Sequence, residues 1–180
     1  MLTEQQKEKI IGIARETLSC YLSGNELPPL IVEDPVLREK RGVFVTLKKA
    51  GELRGCIGYI QPVKPLYESV RDMTIQSATG DPRFHAVTHD ELKDISIEIS
   101  VLTVPKKVDA KDIVLGRDGV IVARGHRQGV FLPQVADETG WSKEEFMSNL
   151  CLHKAGLPPD SWKQPETEIY TFQAEVFGED

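Results

Sequence analysis

Long apolar runs are absent from this chain of 180 residues, and no segment approaches the roughly 18 consecutive apolar residues of a membrane span. The N-terminal segment MLTEQQKEKI also lacks the cationic start and the apolar core of a secretory signal. Cysteine is scarce, with three residues at wide spacing, which is typical of reduced thiols and not of a disulfide framework. These absences predict a cytoplasmic protein with no membrane association.

Several common catalytic signatures are also missing. No phosphate loop, dinucleotide fingerprint or G-x-S-x-G elbow occurs in the sequence. His89 and Glu91 form an H-x-E pair, but the Pro-Cys-x-x-Cys half of a zinc deaminase site is lacking. Since the remaining Cys and His residues are scattered, we expect no metal site and no cofactor.

The charge balance argues against nucleic acid as a partner. The formal net charge is −6 and the pI is about 5.3, whereas binding to duplex DNA depends on many Lys and Arg contacts to phosphate. A basic cluster between Arg38 and Arg54 is more typical of a solvated hairpin. Nucleic-acid binding is therefore the least favoured function.

Local patterns predict an α+β fold. Three capping-box pairs, Thr3/Gln6, Thr88/Glu91 and Ser142/Glu145, mark helix starts, and a further helix is expected between Leu66 and Gly80. Two hairpins are predicted, with arms at 43–47 and 53–60 and at 120–123 and 130–132. The runs ISIEISVLTV and EIYTFQAEVF alternate as single half-buried strands. Hairpins without regular strand-helix alternation favour a mixed, largely antiparallel sheet with packed helices.

The segment GELRGCIGYI carries the strongest indication of chemistry. Glycine weakens a strand and usually marks a bulge or a close backbone approach, yet Gly55 and Gly58 flank Cys56. In regular strand geometry Arg54 and Cys56 share one face, while Leu53 shares the other face with Gly55, Ile57 and Tyr59.

Two interpretations of Cys56 remain open. In the first, it is a thiolate favoured by the neighbouring Arg54 cation and reached by a substrate between the glycines. In the second, it is a small buried hydrophobe, as unbonded cysteines often are. The second interpretation is strongly favoured for Cys20 and Cys151, which lie in predicted helices.

The segment ATGDPRFH forms a second cluster. Asp81 precedes Pro82, and aspartate in such a turn commonly bonds backbone amides. Arg83 would be displayed from this rigid turn, where it could hold an anion. His85 follows as a candidate base for a cysteine nucleophile, although an ordinary surface role is favoured for any single histidine.

Four motifs in order resemble the signature of a known family. They are LRGCIGYI at 53–60, DPRF at 81–84, GVFLPQV at 129–135 and KAGLPPDSW at 154–162. Together they are similar to the AMMECR family, called AmmeMemoRadiSam system protein A in microbes. The hallmark hexapeptide Leu-Arg-Gly-Cys-Ile-Gly falls on residues 53–58 without a change.

The resemblance implies a single domain over 1–180 with a larger and a smaller subdomain, and a functional cleft near the hexapeptide. It also implies Memo-like and radical S-adenosylmethionine (SAM) proteins as pathway partners, without assigning a reaction. Our leading hypothesis is a site for a small or modified substrate with Cys56 as nucleophile or covalent carrier. Arg54, Gly55, Gly58, Asp81, Arg83 and His85 are the candidate substrate-binding residues. The alternative is a non-catalytic adaptor in which the hexapeptide is needed for backbone shape, so whether the protein is an enzyme stays open.

Overall fold

A computed structural model describes residues 1–179, which divide into two compact units. The larger unit comprises 1–102 with 175–179, and the smaller one comprises 103–174. Each unit combines helices with its own four-stranded sheet, so the predicted α+β class with a larger and a smaller subdomain is confirmed. Asp180, the last residue of the expected domain, lies outside the described residues.

The larger unit begins with α1 (Glu4–Leu22), whose capping box is formed as predicted: the Gln6 amide donates to the Thr3 hydroxyl and the Thr3 amide donates to the Gln6 side chain. The remaining elements are β1 (Val43–Lys49), β2 (Glu52–Tyr59), α2 (Leu66–Thr79), a 3₁₀ helix (His89–Asp94), β3 (Ile95–Leu102) and the final strand β8 (Ala174–Gly178). The strand order in this sheet is β2-β1-β3-β8.

One face of this sheet packs against α1 and α2. The alternating side chains of β1 and β3 that point to this face are fully buried, as predicted for the isoleucines of β3. They are Val43, Val45 and Leu47 of β1 and Ile95, Ile97, Ile99 and Val101 of β3. The polar side chains that alternate with them lie on the opposite face, so the two faces of the sheet differ in chemistry.

The smaller unit contains the second sheet and a group of short helices. Its strands are β4 (Lys106–Lys107), β5 (Gly119–Arg124), β6 (Arg127–Phe131) and β7 (Glu168–Phe172), in the order β4-β7-β5-β6 with antiparallel pairing. Its helices are a 3₁₀ turn (Ala110–Asp112), α3 (Gln134–Thr139), α4 (Lys143–Asn149), a π-helical segment (Leu150–Ala155) and a second 3₁₀ turn (Pro159–Lys163). No helix in residues 1–179 combines the length and the apolar character that crossing a membrane requires.

The final alternating run is not one strand. It breaks at Gln173, whose amide donates to the Thr103 hydroxyl at 2.8 Å, and the two halves pair in different sheets. In β7 the buried side chains are Ile169 and Phe172, whereas Tyr170 is only half-buried. The prediction of a single strand was wrong because a period-2 pattern carries no information about which sheet each half joins.

Candidate functional site

A β-bulge lies at the centre of the GELRGCIGYI hairpin. Leu47 pairs with Gly55, but the next residue, Lys48, pairs with Leu53, so Arg54 is an extra residue in β2. A bulge shifts the inward-outward alternation of the strand by one residue. Leu53 therefore lies on the same face as Cys56, and the prediction that it shares a face with Gly55 was wrong.

The bulge directs Arg54 to the start of the 3₁₀ helix. Its Nε and Nη2 donate to the Glu91 carboxylate at 3.1 and 3.0 Å, and its Nη1 donates to the His85 carbonyl at 2.9 Å. Lys49 donates to the same carboxylate at 3.0 Å. The Arg54 hydrogen bonds, followed by those from the Thr88 amide and Lys49, hold the pKa of Glu91 well below its usual range. The expected pairing of the Arg54 cation with the Cys56 thiol is absent because Glu91 takes up that charge.

Two glycines of the hexapeptide allow close approaches. A Cβ on Gly55 would lie 2.1 Å from the Ser77 carbonyl oxygen of α2, so only glycine lets the helix approach the strand here. The Ser77 hydroxyl stabilises this contact by accepting a hydrogen bond from the Ile57 amide at 2.9 Å. A Cβ on Gly58 would lie 2.3 Å from the Val43 carbonyl oxygen and 2.4 Å from the Phe44 ring, both on the neighbouring strand. The predicted close backbone approach is therefore present at both Gly55 and Gly58.

Asp81 fixes the backbone of Cys56. Its buried carboxylate accepts from the Cys56 amide at 2.9 Å and from the Arg83 amide, Nε and Nη2 at 3.1, 2.9 and 2.7 Å. The Arg83 side-chain hydrogen bonds hold the pKa of Asp81 well below its usual range, against the opposing effect of burial. The predicted turn role of Asp81 is thus combined with a direct link to the cysteine strand.

The Cys56 side chain lies on the face of the first sheet that does not pack against α1 and α2. We call this surface the thiol face and define it by Phe44, Thr46 and Lys48 of β1 with Leu53, Cys56 and Gly58 of β2, residues paired across the two strands. The Cys56 thiol is half-buried, and the Thr46 hydroxyl donates to its Sγ at 3.2 Å. Cys151, by contrast, is fully buried, and burial raises the pKa of its thiol.

Of the two arginines among the predicted site residues, Arg83 is the exposed one. Its side chain is 55% exposed and lies over the Phe84 ring, 5.5 Å from the centroid. The Asp81 hydrogen bond raises the pKa of Arg83, and the Cys56 sulfur adds a smaller electrostatic contribution in the same direction. Arg83 is therefore linked to the cysteine strand through Asp81, whose carboxylate bonds both the guanidinium and the Cys56 amide.

Of the predicted site residues, the structure brings together Cys56, Asp81 and Arg83. Arg54 instead links the hairpin to Glu91 by hydrogen bonds, and His85 accepts a hydrogen bond from Arg54 through its backbone carbonyl. Thr46 was missed, although its polar position in the alternating strand VFVTLKK indicated the face it occupies. Within residues 1–179, no three His, Cys, Asp or Glu side chains are arranged to hold a metal ion.

The fold and the site define a class: a two-sheet α+β protein with a cysteine on a glycine-containing hairpin, whose backbone is held by a buried aspartate that is paired with an exposed arginine. The family model of AMMECR1 matches residues 11–177, which span most of both units. The chain belongs to the AMMECR1 family, and the resemblance noted from the four motifs is confirmed.

Relatives from archaea support the assignment over the whole length. A protein of Methanothermobacter thermautotrophicus is 48% identical, with 99% of this chain and 97% of the relative covered. Protein MK0488 of Methanopyrus kandleri is also 48% identical, over 99% of this chain and 91% of its own. The crystal structure of the uncharacterized protein PH0010 from Pyrococcus horikoshii matches with a TM-score of 0.83 at 41% identity, covering 99% of this chain and 94% of that one.

Proposed function

We propose that the thiol face binds a small or modified substrate that carries an anionic group and an electrophilic carbon, with Cys56 as the nucleophile. The observation that carries the proposal is the position of the Cys56 thiol. Hydrogen bonds from its own amide to Asp81 and from Thr46 to its sulfur hold it on the half-buried side of β2, outside the apolar core. A cysteine retained for packing would lie among the core side chains instead.

The chemistry that suits this site is addition of the thiol to a carbonyl or a conjugated double bond. The sulfur electron pair forms the new S–C bond, and the π electrons move to the atom at the far end of the double bond. That atom takes up a proton, which replaces the one lost by the thiol, so no oxidant or further reactant is needed.

Arg83 provides the reason to expect an anionic group. Two of its three guanidinium nitrogens bond the buried Asp81 carboxylate, which holds the planar group in a fixed orientation while more than half of the side chain stays exposed. Arginine held in this way is suited to binding a carboxylate or a phosphate. The proposed reaction takes place in the cytoplasm, where the three free thiols of the protein stay reduced.

Charge-selective alkylation tests both parts of this proposal. Iodoacetate and iodoacetamide differ mainly in charge, so the ratio of their rates at Cys56 in the folded protein, divided by the ratio after unfolding, measures attraction of anions. We expect a several-fold preference for iodoacetate that Arg83→Gln abolishes, whereas Arg41→Gln, which changes an arginine paired with Glu39, leaves it intact. A folded-state ratio equal to the unfolded one would contradict the role of Arg83.

A second candidate function is an adaptor that docks Memo-like and radical SAM proteins. Two observations favour it: Gly55 and Gly58 are explained by backbone packing alone, and Leu53 at the start of the hexapeptide is 41% exposed. In this case partner binding depends on the apolar surface around Leu53, and the thiol is dispensable.

Co-purification with such partners separates the two functions. For an adaptor, Leu53→Glu abolishes association while Cys56→Ser leaves it unchanged. For a substrate site, Cys56→Ser removes pathway activity while association persists. Val63→Glu is the matched control, since Val63 is also exposed but lies outside the hexapeptide.

A further inference from the structure

Thr46 occupies a special position relative to Cys56. The two residues lie directly opposite each other in the register of β1 and β2, and the Thr46 Oγ1 donates a hydrogen bond to the Cys56 Sγ at 3.2 Å. Residues directly opposite on neighbouring strands have their side chains on the same face and in contact. The hydroxyl is therefore held next to the sulfur by the strand pairing itself.

The charged groups around the thiol are already paired with one another. Asp81 pairs with Arg83 in the turn after α2. Lys48 on β1 pairs with Glu98 on β3, and Glu98 lies opposite Thr46 in the strand register. Arg54 in the bulge of β2 pairs with Glu91. Lys48 donates to Glu98 at 2.8 Å, and each of the other cations bonds its carboxylate at 2.7 to 3.1 Å. No hydrogen bond joins any of these charged side chains to the Cys56 sulfur, whereas the Thr46 hydroxyl bonds it directly.

We propose that Thr46 is the positioning residue that sets the pH range in which Cys56 reacts, by donating its hydroxyl hydrogen bond to the thiolate. This inference rests on the proposed function of Cys56 as a nucleophile. A hydrogen bond to an ionised acceptor is about twice as strong as one to a neutral acceptor, so the hydroxyl favours the thiolate over the thiol. On ionisation the cysteine proton leaves to solvent, and Thr46 keeps its own proton.

The test is the pH profile of Cys56 carboxamidomethylation in the folded protein, read for each cysteine by mass spectrometry. In this reaction an S–C bond forms with iodoacetamide and iodide leaves. Thr46→Val removes the hydroxyl at nearly constant shape and suits a strand, whereas Thr46→Ser keeps the hydroxyl. Thr171→Val makes the same change on β7 of the other sheet and is the matched control.

We expect the pH midpoint of Cys56 alkylation to rise by about one unit in Thr46→Val, since one unit corresponds to the loss of a single charge-assisted hydrogen bond. Thr46→Ser and Thr171→Val should stay within a few tenths of a unit of the unmodified protein. The midpoint of the pH profile is measured instead of the rate at one pH. A more basic thiolate is intrinsically more nucleophilic, and this partly compensates for the smaller thiolate fraction at any single pH. If Thr46→Val fails to fold, Thr46→Ala provides the same comparison.

The outcomes separate this inference from the function it rests on. If Cys56 reacts in the folded protein but Thr46→Val leaves the midpoint unchanged, Thr46 has no such role and the proposed nucleophile stands. The inference is also overturned if Thr46→Ser shifts the midpoint as far as Thr46→Val does. If Cys56 stays inert until the protein unfolds, both the inference and the proposed function fail.

Discussion

The carbonyl oxygen of Ser77 lies 2.1 Å from the point that a Cβ on Gly55 would occupy. The end of α2 and the middle of β2 are therefore in backbone contact, with Ser77 four residues before Asp81 and Gly55 directly before Cys56. This contact places the Asp81 carboxylate within 2.9 Å of the Cys56 amide. The glycine shapes the site by letting the helix approach.

Replacing Gly55 with alanine should destabilise the protein by about 2 to 3 kcal/mol, because a methyl group must displace the backbone of α2. The matched control is Gly12→Ala on α1, where a Cβ meets nothing within 4 Å and helix propensity should add about 0.5 to 1 kcal/mol. Denaturant unfolding measures both changes. Equal stability of the two variants would show that α2 yields easily at this point.

Asp81 should contribute stability that acid removes. Its pKa is lowered in the folded protein, so the unfolded chain binds the proton more readily, and the contribution is fully present above about pH 4 and is lost as the pH falls further. Asp81→Asn should lower the free energy of unfolding by about 2 kcal/mol at neutral pH.

The difference between Asp81→Asn and the unmodified protein should shrink as unfolding is measured from about pH 5 down to pH 2. Glu26→Gln, at an exposed carboxylate, should leave the acid dependence unchanged. A difference in unfolding free energy that stays constant over this range would contradict the ionised state of Asp81.

The Arg54–Glu91 ion pair should show strong energetic coupling in a double-mutant cycle. Both side chains are only 17% exposed and are joined by two hydrogen bonds, so we expect Arg54→Gln and Glu91→Gln to couple by about 1 to 2 kcal/mol. The exposed pair Lys64–Asp72 is the control, with coupling expected below about 0.5 kcal/mol. Coupling no larger than that of the control would mean that solvent screens the Arg54–Glu91 ion pair.

Local signals in the sequence predicted much of the fold. The three capping boxes form where Thr3, Thr88 and Ser142 indicated, because each depends on residues only three positions apart. The isoleucines of β3 are buried as their alternation predicted. These features need no knowledge of the rest of the chain.

Long-range pairing could not be predicted in the same way. The sequence showed that Gly55 marks a close approach but not that Ser77 is its neighbour. It placed Arg54 beside Cys56, because regular alternation conceals a bulge, and the partner Glu91 lies 37 positions away. Thr46 became part of the site only through the register between β1 and β2, which the hairpin pattern leaves open by one or two residues.

The central claim, that Cys56 presents a reactive thiol in the folded protein, is tested most directly by alkylation with limiting iodoacetamide and quantification of each cysteine. We expect Cys56 to be modified first, and Cys151, which is fully buried and whose pKa is raised by burial, to react only after unfolding. Cys20, which is half-buried on α1, is the internal reference for accessibility alone. Modification of Cys56 only under denaturing conditions, together with Cys151, would contradict the claim and identify Cys56 as a packing residue.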